Sequence, residues 1–252
     1  MSAPTKESVK RQFGANVAMY KVSDIHAKGK DLPLLPDLAG LTGQEDLLDI
    51  ATATGHTAFA LAPYCRQVTG VDLTPAMLTE ARREAEERGL TNVRFQEADA
   101  EHLPFPDARF DIVTCRIAAH HFPHVERFCT EASRVLKPGG RLVIIDNVAP
   151  ESEALDRFIN TVERMRDPSH FRAHRIAEWE RYLSQAGLAF RLAHQFTTRV
   201  ERESWLARMS VPSDTADAVR QALREAPPEA KAYYQIDETG FILHKAIMVG
   251  LK

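Results

Sequence analysis

Hydrophobic and polar positions repeat with two periods along the chain, and the switches between them predict an ordered series of strands and helices. Short apolar runs predict β-strands at 46–50, 67–71, 92–96, 110–115 and 141–146. Apolar residues at helical spacing predict α-helices at 57–64, 75–88 and 124–136. Strands separated by helices pair in parallel through right-handed crossovers. We therefore predict an α/β fold built on a doubly wound, mostly parallel sheet.

The pattern changes on either side of this alternating region. Before it, an amphipathic helix is predicted at 5–22, with its apolar stripe at Val9, Phe13, Val17 and Tyr20. After it, the pattern predicts helices at 152–166 and 176–187, a strand at 188–198, a Pro-interrupted helical segment at 202–234 and a closing strand in F-I-L-H-K-A-I-M-V-G-L. Two late strands joined by a long connection predict an antiparallel addition to the sheet edge. We expect one domain with a helical cap.

Composition and charge narrow the function classes. Hydrophobic residues make up 44% of the 252 residues and charged residues 27%, an ordinary globular mixture. The net charge of −3 predicts neither a nucleic acid nor an anionic membrane as partner. The opening M-S-A-P-T-K-E-S-V-K lacks the apolar stretch of a signal peptide, and no apolar run approaches the ~18 residues of a membrane span. We expect a cytoplasmic protein without membrane insertion.

Cysteine and histidine spacing predicts neither a disulfide framework nor a metal site. The three cysteines, Cys65, Cys115 and Cys129, lie in apolar contexts without C-x-x-C spacing. They are expected to be reduced thiols in the core. The ten histidines include no H-x-x-x-H on a helix together with a third ligand, so no metal is expected.

A small-residue turn and two acidic residues follow the first three predicted strands, at the edge of the sheet where ligands bind in such folds. The first strand runs into D-I-A-T-A-T-G-H-T, and Asp72 and Asp99 lie at the tips of the next two. Asp72 is suited to accept hydrogen bonds from ribose hydroxyls, and Asp99 from an adenine amine. Each aspartate alone also fits a helix cap or turn. Together with the turn they predict a nucleoside site.

The turn after the first strand does not match the dinucleotide motif G-x-G-x-x-G. Ala51, Ala53 and His56 would stand at its three glycine positions. We therefore do not expect NAD(P) as the ligand.

The run from residue 47 to about residue 148 resembles the class I S-adenosylmethionine-dependent methyltransferases of the ubiquinone/menaquinone-methyltransferase-like group (type 11). The matching motifs are L-L-D-I-A-T-A-T-G-H-T-A, G-V-D-L-T-P-A-M-L, A-D-A-E-H-L-P-F-P-D-A-R-F-D-I-V and R-V-L-K-P-G-G-R-L. The resemblance implies a seven-stranded sheet whose last strand is antiparallel, methyl transfer as the reaction, and S-adenosyl-L-methionine as the cofactor.

The resemblance also implies which residues surround the cofactor. The methionine end would be held by residues of the first loop, Asp49, Ala51, Thr52, Ala53 and Gly55. The ribose and the flank of the nucleoside would be held at the second strand, by Asp72, Leu73 and Met77. The adenine and the pocket floor would be lined by Asp99, Ala100, Arg116 and Ile117. A helical lid would carry Phe13 and Tyr20.

With this resemblance, the single domain 1–252 divides into three predicted parts. Residues 1–45 form an N-terminal lid segment, 46–148 the cofactor-binding core, and 149–252 the helical cap with the final sheet strands.

Ala53 departs from the family pattern D-x-A-T-G-T-G-H-T, because it takes the place of the middle glycine. If this position needs a positive φ, alanine costs on the order of 1–2 kcal/mol. Such a cost would weaken cofactor binding roughly tenfold. We expect weakened rather than abolished binding.

Candidates for acceptor chemistry follow the fourth strand and lie in the cap. Methyl transfer is an in-line displacement that needs a base only if the acceptor must lose a proton. His121, and after it His120, are the candidate catalytic residues, although a helix cap or a loop hydrogen bond also explains each. His170, Arg172 and Trp205 are candidate substrate contacts, with a solvated turn or simple core packing as the alternatives.

The leading hypothesis is a small-molecule methyltransferase acting on oxygen or carbon of an aromatic or quinone-like acceptor. The alternative is a methyltransferase-fold protein whose cofactor site is weakened or repurposed, as Ala53 suggests, and which catalyses a non-methylating reaction or only binds. The amino-methyltransferase signature [DN]-P-P-[YFW] is absent after the fourth strand, where C-R-I-A-A-H-H-F stands. Nucleic acid is therefore not expected as a partner, and a homodimer is left open.

Overall fold

The protein is described by a computed structural model that covers residues 4–18 and 29–252. The predicted lid residue Tyr20 lies outside these ranges. Within them, no helix is long and apolar enough to cross a membrane.

Seven strands form one sheet in the order β3-β2-β1-β4-β5-β8-β7. The strands are β1 Asp46–Ile50, β2 Gln67–Asp72, β3 Val93–Glu97, β4 Phe110–Arg116, β5 Leu136–Ala149, β7 Ala189–Glu201 and β8 Gly240–Leu251. A two-residue strand, β6 His174–Arg175, pairs with the end of β5 outside this order. Strand β8 runs antiparallel to β5 and β7, while β1 to β5 pair in parallel. The predicted mostly parallel, seven-stranded sheet with an antiparallel last strand is confirmed.

Apart from a short helix before β1, which the pattern did not predict, the helices follow the strands as the hydrophobic periodicity predicts. The N-terminal helix and those of the alternating region are α1 Lys6–Ala15, α2 Leu35–Ala39, α3 His56–Leu61, α4 Pro75–Glu87 and α5 Val125–Val135. The later ones are α6 Glu153–Arg166, α7 Ile176–Gln185, α8 Arg202–Ala207, α9 Ser213–Arg224 and α10 Pro228–Tyr233. Thr5 caps α1 by accepting a hydrogen bond from the Ser8 amide, and Pro75 starts α4 with its preset φ.

Both faces of the sheet are buried, which explains why its strands are nearly continuous apolar runs. Leu48 and Ile50 of β1 point to one face, where α5 and α7 cover them. Leu47 points to the other face, which α2 and α3 cover. A third apolar cluster joins helices α6, α8, α9 and α10 to the start of β8, and it forms the predicted cap.

Strand β5 is longer than the periodicity predicted. Pairing with β8 extends it to Asn147, and pairing with β6 extends it to Ala149. At its start the K-P-G-G segment joins the strand, where the register with β4 shifts between Phe110 and Ile112. Pattern alone could not show this, because the extension depends on a partner strand about a hundred residues further along the chain.

Candidate active site

The loop between β1 and α3 alternates between ordinary and left-handed backbone. Ala51, Ala53 and Gly55 have φ angles of 56°, 49° and 91°. The Thr52 amide donates to the Val71 carbonyl, which ties the loop to β2. A Cβ on Gly55 would lie 2.6 Å from the Phe59 ring, so this position requires glycine on two grounds. Ala53 has the left-handed backbone conformation that glycine adopts easily, and this conformation is unfavourable in free energy for alanine.

Asp72 at the tip of β2 holds this loop in place. Its Oδ2 accepts a hydrogen bond from the Ala53 amide at 2.9 Å, and its Oδ1 accepts one from the Thr74 amide at 2.8 Å. Burial raises the pKa of the Asp72 carboxyl, although these two amide donors oppose the rise. The Thr74 hydroxyl and the Leu73 amide also lie close enough to the carboxylate to lower its pKa.

Asp49 in β1 is fully buried beneath the loop. Its Oδ1 accepts a hydrogen bond from the Thr114 hydroxyl at 2.7 Å, whereas its Oδ2 is buried with no hydrogen-bond partner. The hydroxyls of Thr52 and Thr54 are likewise buried and unpartnered. Burial raises the pKa of Asp49 to about 6, against the nearby Thr52 and Thr114 hydroxyls, which lower it. Unpaired polar atoms at one place are costly unless a ligand satisfies them.

A cavity of about 940 Å³, including its open mouth, lies at the carboxyl ends of β1 to β4. It is lined by the loop after β1, the tips of β2 and β4, the segments 98–101 and 121–123, and helix α1. Among the residues that the structure describes, no cluster of three or more His, Cys, Asp or Glu side chains is placed to hold a metal.

Helix α1 is pinned over one end of this cavity by Lys6. The Lys6 Nζ lies 2.6 Å from Asp99 Oδ2 and 2.6 Å from Glu101 Oε2, and all three residues line the cavity. Partial burial lowers the pKa of Lys6, but the two carboxylates outweigh it and the pKa is raised. Sequence reasoning missed Lys6 and Glu101, because only the fold brings residues 93 and 95 positions apart together.

Arg116 and Ile117 form the floor at the end of β4. Arg116 is buried and forms an ion pair with Asp31. Ile117 has a φ of 53°, and its amide donates to the Ile145 carbonyl at 2.6 Å. Left-handed backbone is rare for a β-branched residue, and such strain collects at functional sites. Both residues line the cavity.

Three histidines pack together beneath the cap beside the cavity. His120 Nδ1 lies 2.6 Å from Asp146 Oδ1, and its ring is 4.2 Å from that of His121 and 5.5 Å from that of His170. Burial lowers the pKa of His120, but the Asp146 carboxylate outweighs it and raises the pKa. His170 contacts Asn160 Oδ1 through Nε2 at 3.0 Å, and burial together with His120 holds its pKa well below the ordinary value.

His121 is the histidine of this cluster that lines the cavity. Its Nδ1 lies 3.0 Å from the Ser169 carbonyl oxygen, which can only accept, so Nδ1 carries the proton and Nε2 the lone pair. The Phe13 ring of α1 packs edge-on against it at 4.9 Å. Burial and the neighbouring His120 lower the pKa of His121 to about 4, so the ring is neutral at pH 7.

The structure separates the predicted site residues into two sets. The predicted residues that line the cavity are Phe13, Ala51, Thr52, Ala53, Asp72, Leu73, Asp99, Ala100, Arg116, Ile117 and His121. Asp49 lies beneath the loop and Gly55 within it, and neither residue lines the cavity. Met77 is fully buried in α4. His120 lies behind His121 and does not line the cavity.

The three predicted substrate contacts lie away from the cavity. His170 is buried against Asn160, and Arg172 pairs with Asp156 at 2.7 Å and Glu178 at 3.1 Å. Trp205 packs edge-on against Phe241 in the cap core. Trp205 thus has the core packing that the sequence left open as its alternative, whereas His170 is buried and does not lie in a solvated turn.

The doubly wound sheet, the glycine-like loop after β1 and the acidic tips of β2 and β3 define a nucleoside-cofactor enzyme of the methyltransferase fold. A family model described as "Methyltransferase domain" matches residues 48–144. The uncharacterized methyltransferase YcgJ of Bacillus subtilis is 39% identical over 246 residues, which cover 95% of this chain and 97% of YcgJ. The chain therefore belongs to the S-adenosylmethionine-dependent methyltransferase family, in its type 11 group, as the motifs predicted.

Solved structures agree with this assignment. The crystal structure of YcgJ superposes with a TM-score of 0.86 at 38% identity, covering 88% of this chain and 97% of that one. A putative methyltransferase of Bacillus halodurans has a TM-score of 0.86 at 40% identity, with coverages of 89% and 99%. A demethylmenaquinone methyltransferase of Thermus thermophilus is 47% identical over 121 residues, or 47% of this chain and 54% of that protein.

Proposed function

We propose that this protein binds S-adenosylmethionine in the cavity and transfers its methyl group to oxygen or carbon of a small aromatic or quinone-like acceptor. The local similarity to a demethylmenaquinone methyltransferase supports this class of acceptor. The observation that carries the proposal is Asp72, a buried carboxylate at the cavity wall that positions the loop through the Ala53 amide.

The residues around the cavity fit this cofactor. S-adenosylmethionine supplies a methyl group on a positively charged sulfur together with an amino-acid end and a nucleoside end. The unpaired hydroxyls of Thr52 and Thr54 line the cavity and match the carboxylate of the amino-acid end, and the carboxylate of Asp49 beneath the loop supplies negative charge that favours its ammonium. Asp72 would accept from the ribose, and Asp99 with Ala100 would border the adenine.

His121 is better suited to orienting the acceptor than to removing its proton. A base with a pKa of about 4 is neutral at pH 7 but has little driving force for taking a proton from a hydroxyl. Its Nδ1–H is already directed at Ser169, and its Nε2, 4.0 Å from Asp167 Oδ2, carries the lone pair that would accept a hydrogen bond from the acceptor. The buried His120–Asp146 pair packs behind this ring and fixes its position.

Ala53 does not favour the alternative of a decayed site. The residue holds the left-handed conformation that the loop needs, and its amide still donates to Asp72. The cost of alanine therefore falls on backbone strain, while the hydrogen bond that defines the loop is kept.

The proposal is tested with S-adenosylmethionine labelled in its methyl group. The protein and the labelled cofactor are incubated with a metabolite extract that contains quinol precursors, and products are detected by mass spectrometry. We expect a labelled aromatic product with the wild type and a strongly reduced yield with Asp72→Ala. Hydrolysis or cyclisation products without label transfer would instead support a repurposed site.

A further inference from the structure

One face of β8 is buried along its whole length and carries a single charged side chain. Phe241 and Leu243 belong to the apolar cluster of the cap, and Ile247 and Val249 belong to the cluster beneath α2 and α3. Lys245 lies between them and is only 5% exposed. Since alternate residues of a strand share a face, an ammonium group interrupts an otherwise apolar row where the two clusters meet.

Lys245 is located at the edge of the sheet where ligands bind. In the antiparallel pairing of β5 and β8 it lies opposite Asn147, two residues beyond the pair of Ile145 and Ile247. Arg116 of β4 lies opposite Ile145 on the other side, so Arg116, Asn147 and Lys245 share one face. Arg116 also lines the proposed cofactor cavity, whereas Asn147 and Lys245 lie one and two strands further along the same face, outside the cavity lining.

Two of these side chains have unfilled hydrogen-bonding capacity. Within the described parts of the chain, no carboxylate or other acceptor lies within bonding distance of Lys245 Nζ, and Asn147 Oδ1 is buried without a partner. A buried lysine normally pairs with an acceptor, because burial of an unpaired charge is costly. An arrangement that retains such a cost is typical of a ligand site.

The charges around Lys245 favour an anion. Burial, together with Arg116 and Arg208, lowers the pKa of Lys245, and Asp31 and Asp146 oppose this effect. The resulting pKa is about 8. The ammonium thus remains protonated at pH 7. Both carboxylates are already engaged, Asp31 by Arg116 and Asp146 by His120.

We propose that Lys245 binds an ionised oxygen of the methyl acceptor, either a phenolate or a carboxylate, on the face of the sheet beside Arg116. This inference rests on the proposed methyl transfer and names the substrate class. An acceptor that is ionised when bound needs no strong base, which agrees with the weakly basic His121. For a phenolate, the ionised oxygen would supply the electron pair, and S-adenosylhomocysteine would leave. If the activated ring carbon attacks instead, that carbon must in addition release its proton to water as the ring regains aromaticity.

The test measures binding of three aromatic probes to protein saturated with S-adenosylhomocysteine. Naphthol and naphthoate carry the two kinds of ionisable oxygen, and methoxynaphthalene is the neutral probe. Calorimetry compares the wild type with Lys245→Met, and with Lys231→Met as a control on an exposed lysine. We expect at least one ionisable probe to bind the wild type and Lys231→Met equally, and Lys245→Met at least about tenfold more weakly. The neutral probe should not distinguish the variants.

The outcomes separate the two proposals. Naphthoate binding alone identifies a carboxylate acceptor, and naphthol binding alone a phenolate. The role of Lys245 is wrong if Lys245→Met binds the ionisable probes as tightly as the wild type and Lys231→Met do. It is also wrong if the wild type binds S-adenosylhomocysteine but none of the probes. In both cases the methyl transfer proposal stands. If Lys245→Met loses S-adenosylhomocysteine itself while still folded by circular dichroism, Lys245 belongs to the cofactor site and the inference is overturned. Failure of the wild type to bind S-adenosylhomocysteine contradicts the proposed function instead.

Discussion

At the scale of single residues, the cavity is built from side chains and backbone held in unfavourable states. Ala51, Ala53 and Ile117 have left-handed backbone, and Asp49 and Lys245 are buried ionisable groups with shifted pKa values. Each such feature costs on the order of 1–3 kcal/mol and persists only where the surrounding fold enforces it. Their concentration at one edge of the sheet marks that edge as the functional one.

Replacing Ala53 by glycine should raise the thermal stability of the protein. Glycine relieves about 1–2 kcal/mol of left-handed strain at a φ of 49°. The greater freedom of the unfolded chain returns about 0.4–1 kcal/mol, so a net gain between about zero and about 1.6 kcal/mol is expected in chemical denaturation. Ala218→Gly, on an exposed position in the middle of helix α9, is the control and should destabilise by about 0.5–1 kcal/mol. Equal losses for both variants would show that Ala53 is unstrained.

The low pKa of His121 predicts a defined dependence of stability on pH. Folding keeps His121 neutral down to about pH 4, whereas in the unfolded chain it takes up a proton below its ordinary pKa of 6.5. His121 therefore destabilises the fold as the pH falls from 6.5 towards 4. Relative to His121→Gln, the wild type should lose about 2 kcal/mol of unfolding free energy between about pH 8 and pH 5. The exposed His124→Gln should track the wild type, and a constant difference for His121→Gln would refute the shift.

At the scale of secondary-structure elements, helix α1 depends on the core for its position. The described residues of α1 include no fully buried one, and the helix is tied down by Lys6 to Asp99 and Glu101 and by the Phe13 contact with His121. Such an element has few apolar contacts and opens locally at low cost. Since α1 covers the cavity, its opening would control access to it.

Removing the Lys6 contacts should loosen α1 without unfolding the core. Lys6→Met breaks both ion pairs, and cleavage of the α1 segment by thermolysin should accelerate roughly two- to fivefold. Lys10→Met is the matched control, because Lys10 forms a longer contact of 3.3 Å with the exposed Glu97. Equal cleavage rates for wild type and Lys6→Met would mean that the ion pairs do not hold the helix.

At the scale of the whole molecule, the sequence predicted what depends on local pattern. All seven strands of the sheet and the helices between them follow from apolar periodicity, and the loop and acidic tips follow from motifs that lie directly after strands. Contacts between segments that are far apart in the sequence could not be predicted from local pattern. The pairing of Lys6 with Asp99 and the isolation of Lys245 on β8 exist only once the sheet order is known.

The substrate-side predictions show the same limit. The residue types of His170, Arg172 and Trp205 and the helical spacing around them are typical of a ligand pocket. The same residue types and spacing also occur in the apolar core and the ion pairs of a helical cap. The burial of Lys245 could not be predicted, because a lysine in the F-I-L-H-K-A-I-M-V-G-L strand is expected to face solvent. Its position is known only once β8 is paired with both neighbouring strands, β5 and β7.

The central claim is that the cavity bordered by Asp72 binds S-adenosylmethionine, and calorimetric titration with S-adenosylhomocysteine tests it most directly. The wild type should bind in the micromolar range. Asp72→Ala should bind more weakly by about 1–3 kcal/mol, because it loses acceptors for the ligand and for the Ala53 amide. Asp37→Ala, on an exposed position of α2, should bind as the wild type does. Absence of heat at millimolar ligand with folded wild-type protein, or equal affinity of Asp72→Ala, would contradict the account.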